Sequence, residues 1–171
     1  MAASLEERNE GAAMLTEKTR ETIDHWVAKF PADKKRSALI QALMAAQVQN
    51  GGWITAELTE AVADYLELPP VWAHEVVSFY SMFFTEPVGR HKVNICTNIS
   101  CWLNGADELV AHAEKKLGVK LGGTTGDGRI TLVREEECLA GCCGAPMAVV
   151  DGHYKEHLDI EKLDALLDGL E

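Results

Sequence analysis

Residues 91–101 read His-Lys-Val-Asn-Ile-Cys-Thr-Asn-Ile-Ser-Cys, a stretch that joins a strand pattern to a pair of cysteines. Val93 and Ile95 alternate with polar residues, which predicts a half-buried β-strand from His91 to Cys96. A second pair of cysteines lies in Cys138-Leu-Ala-Gly-Cys142, where we also expect a strand to run into a loop. Because loops at strand ends project side chains from a rigid scaffold, the four sulfurs are expected to converge.

The spacing of these cysteines indicates a metal centre. Four residues separate Cys96 from Cys101, and three separate Cys138 from Cys142. Zinc and iron-sulfur clusters both accept four thiolates, and zinc sites commonly use shorter intervals. Each iron of a 2Fe-2S cluster needs two thiolates, so the wider loops favour the cluster, with zinc as the alternative. The chain has 5 cysteines, and an odd set in a reducing compartment argues against a disulfide framework.

Small and aromatic residues accompany the cysteines. Ser100, Gly141 and Gly144 leave backbone N–H groups accessible to the sulfurs of a cluster, although a single glycine is equally explained by a tight turn. Trp102 directly follows a predicted ligand and is a candidate to shield one face of the site from water. The 6 histidines are scattered, and we interpret them as structural or solvated.

The second half of the chain predicts an α/β domain. Its elements follow the order β-α-β-β-α, which indicates a mixed sheet with helices packed on it. Asp151-Gly152 is typical of a hairpin turn, and the glycine-rich segment 121–128 lacks a phosphate-binding pattern and is interpreted as a connection. The predicted elements are a strand at 91–96, a helix at 105–117, strands at 129–134 and 147–150, and a helix at 160–170.

The first half predicts a small helical bundle without cysteines. Apolar residues recur at helical spacing, and prolines and glycines separate the runs. Thr55 is a candidate N-cap, and Pro70 is suited to the first turn of a helix. The predicted helices are 17–30, a second that opens at Asp33 or Ser37 and ends before Asn50-Gly51-Gly52, a third that follows Thr55 and ends before Pro69-Pro70, and a fourth from Pro70. Turn formers at 86–90 divide an α+β chain into a helical bundle at 1–86 and an α/β domain at 87–171.

Composition excludes several classes of function. The net charge of -11 and the absence of a basic run argue against nucleic acid. No apolar stretch approaches the ~20 residues of a membrane helix, so we expect no direct membrane insertion. Residues 1–20 lack the plan of a secretory signal, and we therefore expect a cytoplasmic protein. A mitochondrial matrix location is not expected without a transit peptide.

Landmarks along about three quarters of the chain resemble one family. They are Gly51-Gly52-Trp53-Ile54, Val77 to Phe83, Pro87-Val88-Gly89-Arg90, Cys96 to Gly105, Thr124 to Leu132, and Cys138 to Pro146. In this order they are similar to the thioredoxin-like 2Fe-2S subunit of respiratory complex I, the NuoE type of NADH-quinone oxidoreductase. Relatives of that subunit also occur in NAD-linked hydrogenases and formate dehydrogenases.

The resemblance implies a thioredoxin-like fold and a site. The implied ligands of the 2Fe-2S cluster are Cys96, Cys101, Cys138 and Cys142. The implied function is electron transfer in NADH:quinone oxidoreductase, a translocase, without a catalytic site of its own. FMN and NADH would lie on a partner subunit, other peripheral-arm subunits would be further partners, and the complex would hold the chain at the inner membrane. The alternatives are a diaphorase subunit of an NAD-linked hydrogenase or formate dehydrogenase, and a zinc-stabilised adaptor.

Two residues depart from the family pattern, and one segment is a candidate docking surface. The family usually has Cys-Leu-Gly-x-Cys at the second pair, whereas this chain has Ala140 followed by Gly141. Cys143 follows the fourth predicted ligand directly, and we expect it to be a small buried apolar residue. The aromatic segment Ser78 to Phe84 is the predicted docking surface for the partner, or else a seam within the chain.

Overall fold

The computed structural model describes residues 14–134 and 138–171. The chain divides into two compact units between Pro87 and Val88. The predicted bundle at 1–86 begins with residues 1–13, which lie outside the described residues. In the described ranges, no helix has the length and apolar character needed to cross a membrane.

The described part of the first unit contains four α-helices, and each lies where the sequence predicts one. They are α1 (Glu17–Val27), α2 (Leu39–Gln49), α3 (Ala56–Tyr65) and α4 (Pro70–Phe79). Thr55 caps α3 by accepting a hydrogen bond from the Leu58 amide, as predicted. Gly51 and Gly52 take positive φ angles after α2, which is the left-handed conformation expected of glycine at a helix end. Neither Asp33 nor Ser37 caps α2, because a 3₁₀ segment at Ala32–Ala38 precedes it.

Two features hold the first unit together. Its core is formed by buried side chains of all four helices, among them Ile23, Leu43, Val62 and Ala73. The buried Gln47 fixes the segment that follows α4, because its amide nitrogen donates to the Met82 carbonyl and its oxygen accepts from the Phe84 amide. This unit is therefore stabilised without any contribution from a cysteine.

The second unit contains a mixed sheet, as predicted. Its strands are β1 (His91–Ile95), β2 (Ile130–Val133), β3 (Ala148–Val150) and β4 (His153–Lys155), and they lie in the order β2-β1-β3-β4. Strand β1 runs parallel to β2 and antiparallel to β3, and β4 pairs with β3. The described helices of this unit are α5 (Ile99–Leu103), α6 (Ala106–Leu117) and α7 (Ile160–Asp168). Val93 and Ile95 of β1 pack in one core with Leu163 and Leu167 of α7. The short helix α5 is absent from the sequence prediction.

Two connections position the elements around β1. The hairpin turn Asp151-Gly152 joins β3 to β4 with φ angles of 50° and 83°, which confirms the hairpin prediction. The glycine-rich segment 121–128 is a connection, as predicted, but it also pairs with β2. The Gly122 amide donates to the Leu132 carbonyl at 2.7 Å, and the Leu132 amide donates to the Gly123 carbonyl at 2.9 Å.

Candidate metal centre

The four predicted ligands lie on two loops at one end of the sheet in the second unit. Cys96 follows β1 directly, Cys101 lies on α5, and Cys138 and Cys142 lie on the loop that leads to β3. All four line a single cleft of about 370 Å³. The fold therefore brings together cysteines that are distant in the sequence. Cys138 lies 42 positions after Cys96, and Cys142 lies 41 positions after Cys101.

The sulfurs are arranged as two pairs. The sulfurs of Cys138 and Cys142 lie 3.7 Å apart, and Cys96 is hydrogen bonded to Cys101. The first pair is buried and the second pair is exposed. Across residues 14–134 and 138–171, no three His, Cys, Asp or Glu side chains are grouped so as to hold a single metal ion, and the cysteine sulfurs contact one another only as these two pairs. Two thiol pairs around one cleft fit a 2Fe-2S cluster, since each iron takes two thiolates.

Burial and contact with a neighbouring thiol raise the pKa of one thiol in each pair, Cys101 and Cys142. Burial raises the pKa of the Cys101 thiol to about 11, and its hydrogen bond with Cys96 acts in the same direction, while a backbone hydrogen bond from Met147 opposes them. The pKa of Cys142 is raised chiefly by its hydrogen bond with Cys138. Because thiolates are the metal ligands, binding at this site must release protons.

Backbone contacts hold the first loop against β3 and the second loop. The Cys96 amide donates to the Met147 carbonyl at 3.0 Å. The Asn104 side chain donates to the Ser100 carbonyl at 2.7 Å, and the Ser100 hydroxyl donates to the Cys142 carbonyl at 3.3 Å. Ser100 thus joins the two cysteine loops, a role beyond the predicted one of leaving backbone N–H groups accessible to a cluster.

The second loop contains a left-handed residue that is not glycine. Ala140 has a φ of 60°, so the left-handed conformation falls at the position where the resembled family has glycine. The Ala140 amide donates to the Cys138 sulfur at 3.4 Å. The preceding carbonyl, that of Leu139, accepts a hydrogen bond from the Tyr154 hydroxyl at 2.9 Å. The loop therefore keeps the left-handed conformation at position 140 although this chain has alanine there and glycine at the next position.

Cys143 is exposed, so the expectation of a small buried residue is wrong. It lies in the 3₁₀ turn Cys142–Gly144, in which consecutive residues are about 120° apart. Cys142 lines the cleft and Cys143 does not. Gly144 permits a close approach in the same turn, because a Cβ atom there would lie 2.6 Å from the Cβ of Glu156.

Exposed apolar side chains border the cleft, and they are not the one that the sequence predicts. Ile99 and Leu103 line the cleft and are 72% and 70% exposed. Trp102, the predicted shield, is exposed but does not line it. Ile99 and Leu103 are four residues apart on α5 and therefore share a face. The available signal was the presence of three large apolar residues, Ile99, Trp102 and Leu103, in the segment around Cys101.

The predicted docking segment is only partly exposed, and two of the histidines have acidic partners. In the segment Ser78 to Phe84, Phe79 and Met82 are exposed while Phe83 is buried. Two histidines pair with aspartates, His91 with Asp151 and His112 with Asp164, each at 2.7 Å. These contacts agree with a structural interpretation of those two histidines.

Comparison with known proteins finds one family along most of the chain. The model of the thioredoxin-like [2Fe-2S] ferredoxin family matches residues 23–171. The E subunit of the NADH-quinone oxidoreductase of Rickettsia felis is 44% identical over 142 residues, which cover 83% of this chain and 84% of that protein. The E 2 subunit of the NADH-quinone oxidoreductase of Rhizobium meliloti is 42% identical over 150 residues, 88% of this chain and 87% of that protein.

A solved structure shares the fold. The crystal structure of an NAD⁺-reducing [NiFe]-hydrogenase in the air-oxidised state matches with a TM-score of 0.62 and 26% identity. The match covers 75% of this chain and 22% of the hydrogenase chain. This chain thus corresponds to a part of that longer protein.

Proposed function

The chain belongs to the thioredoxin-like [2Fe-2S] ferredoxin family, and on that premise we propose that it is the electron-transfer subunit of an NADH-quinone oxidoreductase. Its cluster is held by Cys96, Cys101, Cys138 and Cys142. The observation that carries this proposal is the placement of these four thiols, as two pairs, around one cleft of the second unit.

The chain depends on a partner for the oxidation of NADH. A bound 2Fe-2S cluster accepts and releases one electron, whereas NADH delivers a hydride, so another cofactor must divide the electron pair. Flavin can do so, and the sequence has no dinucleotide fingerprint. FMN and NADH therefore lie on a partner subunit, and this chain contributes the thiolates and the surface that the partner covers.

The exposed apolar border of the cleft supports a docking surface at this end of the second unit. Ile99 and Leu103 expose most of their area beside the exposed pair Cys138 and Cys142. Apolar side chains of this kind are favoured at the buried centre of protein interfaces. Phe79 and Met82 of the first unit offer a second exposed apolar site. Through its partner and the other peripheral-arm subunits, the chain would lie on the cytoplasmic side of the inner membrane.

Two alternatives remain to be separated from this proposal. The first is an equivalent subunit in an NAD⁺-reducing hydrogenase, which the likeness at 26% identity supports less well than the 44% identical E subunit supports this proposal. It is distinguished by the partner that the chain binds. A zinc-stabilised adaptor belongs to a different class of function. It is distinguished by colour, because zinc thiolate is colourless and a 2Fe-2S protein is red-brown.

The first experiment is anaerobic reconstitution of the full chain with iron and sulfide. We expect visible absorption, equal amounts of iron and sulfide, and a paramagnetic signal after reduction with dithionite. The second experiment adds NADH with and without the flavin-bearing subunit, and we expect rapid reduction of the cluster only when that subunit is present. A colourless zinc protein would contradict the cluster, and rapid reduction of the isolated chain by NADH would contradict the dependence on a partner.

A further inference from the structure

We propose that Tyr154 is a positioning residue for the cluster, because it holds the peptide group whose N–H donates to the sulfur of Cys138. This inference rests on the proposed ligand set, in which Cys138 binds iron. Tyr154 lies 16 positions after Cys138, on strand β4. Neither its spacing nor its residue type marks it as part of a metal site.

Two hydrogen bonds share one peptide group. The Tyr154 hydroxyl donates to the carbonyl oxygen of Leu139 at 2.9 Å, and the amide of Ala140 donates to the Cys138 sulfur at 3.4 Å. That carbonyl and that amide are the two ends of the Leu139–Ala140 peptide. Because a peptide group is planar, fixing the direction of its carbonyl also fixes the direction of its N–H.

The peptide needs to be held, because Ala140 is in an unfavourable conformation. Its φ of 60° is strained for a residue with a Cβ atom. Rotating the Leu139–Ala140 peptide by half a turn would bring φ of Ala140 into the ordinary negative range. The same rotation would turn the N–H away from the Cys138 sulfur. The hydrogen bond from Tyr154 opposes this rotation.

Strand β4 is well placed to hold the loop. Tyr154 pairs with Val149 of β3 in the sheet register. Just after β4, the His157 amide donates to the Gly144 carbonyl at 2.7 Å, and the Leu158 amide donates to the Pro146 carbonyl at 2.8 Å. Tyr154 itself is 56% exposed, so its hydroxyl can be removed without opening the core.

A donor aimed at a ligand sulfur alters the redox properties of a cluster. Reduction adds negative charge, and hydrogen bonds to the sulfurs stabilise that charge and raise the reduction potential. If the Ala140 N–H turns away, the reduced form loses this stabilisation. We expect up to about a tenfold fall in the ratio of reduced to oxidised cluster at a fixed potential, which is about 59 mV for one electron.

The test compares Tyr154→Phe with a matched tyrosine variant in the full chain carrying its cluster. Tyr65 of the first unit also donates one hydrogen bond, to Asp24 at 3.0 Å, so Tyr65→Phe is the control. We expect a more negative midpoint potential and shifted iron-sulfur stretching frequencies in resonance Raman spectra for Tyr154→Phe, and no change for Tyr65→Phe. Adding Ala140→Gly to Tyr154→Phe should restore part of the potential, because glycine adopts the left-handed conformation without strain.

Each outcome bears on a different claim. Equal potentials for the wild-type chain and Tyr154→Phe would overturn the role of Tyr154 and leave the ligand set intact. A wild-type chain that takes up no cluster, or an unchanged visible spectrum in Cys138→Ser, would overturn the proposed ligand set and this role with it. If Tyr154→Phe does not retain its cluster, hydrogen exchange of the Ala140 amide in the metal-free chain decides. Faster exchange than in the wild-type chain supports the role, and equal exchange overturns it.

Discussion

A Cβ atom on Gly141 would lie 2.8 Å from the terminal methyl carbon of Met147. Met147 is fully buried and packs in one cluster with Cys96 and Cys101. The φ of Gly141 is -104°, which residues with a side chain also adopt, so a side chain here would be opposed by the Met147 methyl group and not by the backbone conformation. Ala140 presents the opposite situation, because it has room for its methyl group but an unfavourable φ. Two adjacent residues of the second cysteine loop are therefore constrained by different physical effects.

Gly141→Ala should destabilise the second unit. The added methyl group must displace the end of the buried Met147 side chain. Overpacking typically costs about 1–3 kcal/mol of unfolding free energy, and because methionine is flexible we expect a loss at the lower end of that range. The change is measured by urea unfolding and, separately, by hydrogen exchange of the β1 amides. Gly126→Ala is the control, because a Cβ there meets nothing within 4 Å. Equal stability of the two variants would contradict the prediction.

Ala140→Gly should stabilise the same unit by about 0.5–1 kcal/mol, because glycine removes the cost of a left-handed residue. The matched control is Ala145→Gly in the same loop. Ala145 has an ordinary φ of -65°, so glycine there should only add conformational entropy to the unfolded chain and lower the stability. The measurement is again the urea unfolding free energy. A loss of stability in Ala140→Gly would show that the left-handed conformation carries no cost.

The sequence was sufficient for the long elements of the fold, because their signals are local. Thr55 and Pro70 each mark the start of a helix that is present, and Asp151-Gly152 marks the hairpin. Helix α5 was missed because five residues do not complete two helical turns and give no periodic pattern. The pairing of Gly122 and Gly123 with Leu132 was missed because it depends on tertiary placement of a segment that has no strand pattern.

The site was predictable as far as its thiols, and no further. Paired cysteines in loops that follow strands commonly bind a metal, so the convergence of the four thiols on one cleft could be expected. The exposed border formed by Ile99 and Leu103 depends on the unpredicted α5. The hydrogen bond from Tyr154 to Leu139 joins residues 15 positions apart through the packing of β4 on the loop, and no sequence pattern reports such a contact.

Cys142→Ser should bleach or shift the visible and paramagnetic spectra of the reconstituted chain, because a serine hydroxyl cannot replace a thiolate as a ligand of iron. Cys143→Ser is the neighbouring control and should leave both spectra nearly unchanged, since Cys143 does not line the cleft. Iron content per chain, measured beside the spectra, separates loss of the cluster from a change of ligand. The reverse result would assign the fourth ligand to Cys143.

Asp151→Asn should lower the pKa of His91 and reduce stability mainly at acid pH. The hydrogen bond with Asp151 raises the pKa of His91, with a smaller contribution from the Glu171 carbonyl. Burial alone would raise the pKa of Asp151, but hydrogen bonds from His91 and from the Lys92 amide lower it overall. The stabilisation from protonated His91 is therefore complete below the unfolded pKa of about 6.5 and is lost as the pH rises through the raised folded value.

NMR titration of His91 and urea unfolding at about pH 5.5 and about pH 8.5 test this linkage. The stability difference between the wild-type chain and Asp151→Asn should be larger at the lower pH. Glu60→Gln is the control, because it removes the exposed partner of His74 in the first unit, and exposed pairs contribute little. A stability difference that is larger at the higher pH would contradict the assignment.

Removal of iron from the reconstituted chain should loosen the second unit and leave the first nearly unchanged. Only the second unit supplies the predicted ligands, and metal binding free energy acts on the unit that forms the site. The first unit has its own core around Ile23 and Leu43. Hydrogen exchange with mass spectrometry, before and after chelation, should show faster exchange in residues 91–101 and 138–150 and equal exchange in 17–79. Cys143→Ser should respond to chelation as the wild-type chain does, because its cluster is intact. If α1 to α4 opened first, the stability of the first unit would depend on the metal site, and the separation of the chain into a metal-dependent and a metal-independent unit would be wrong.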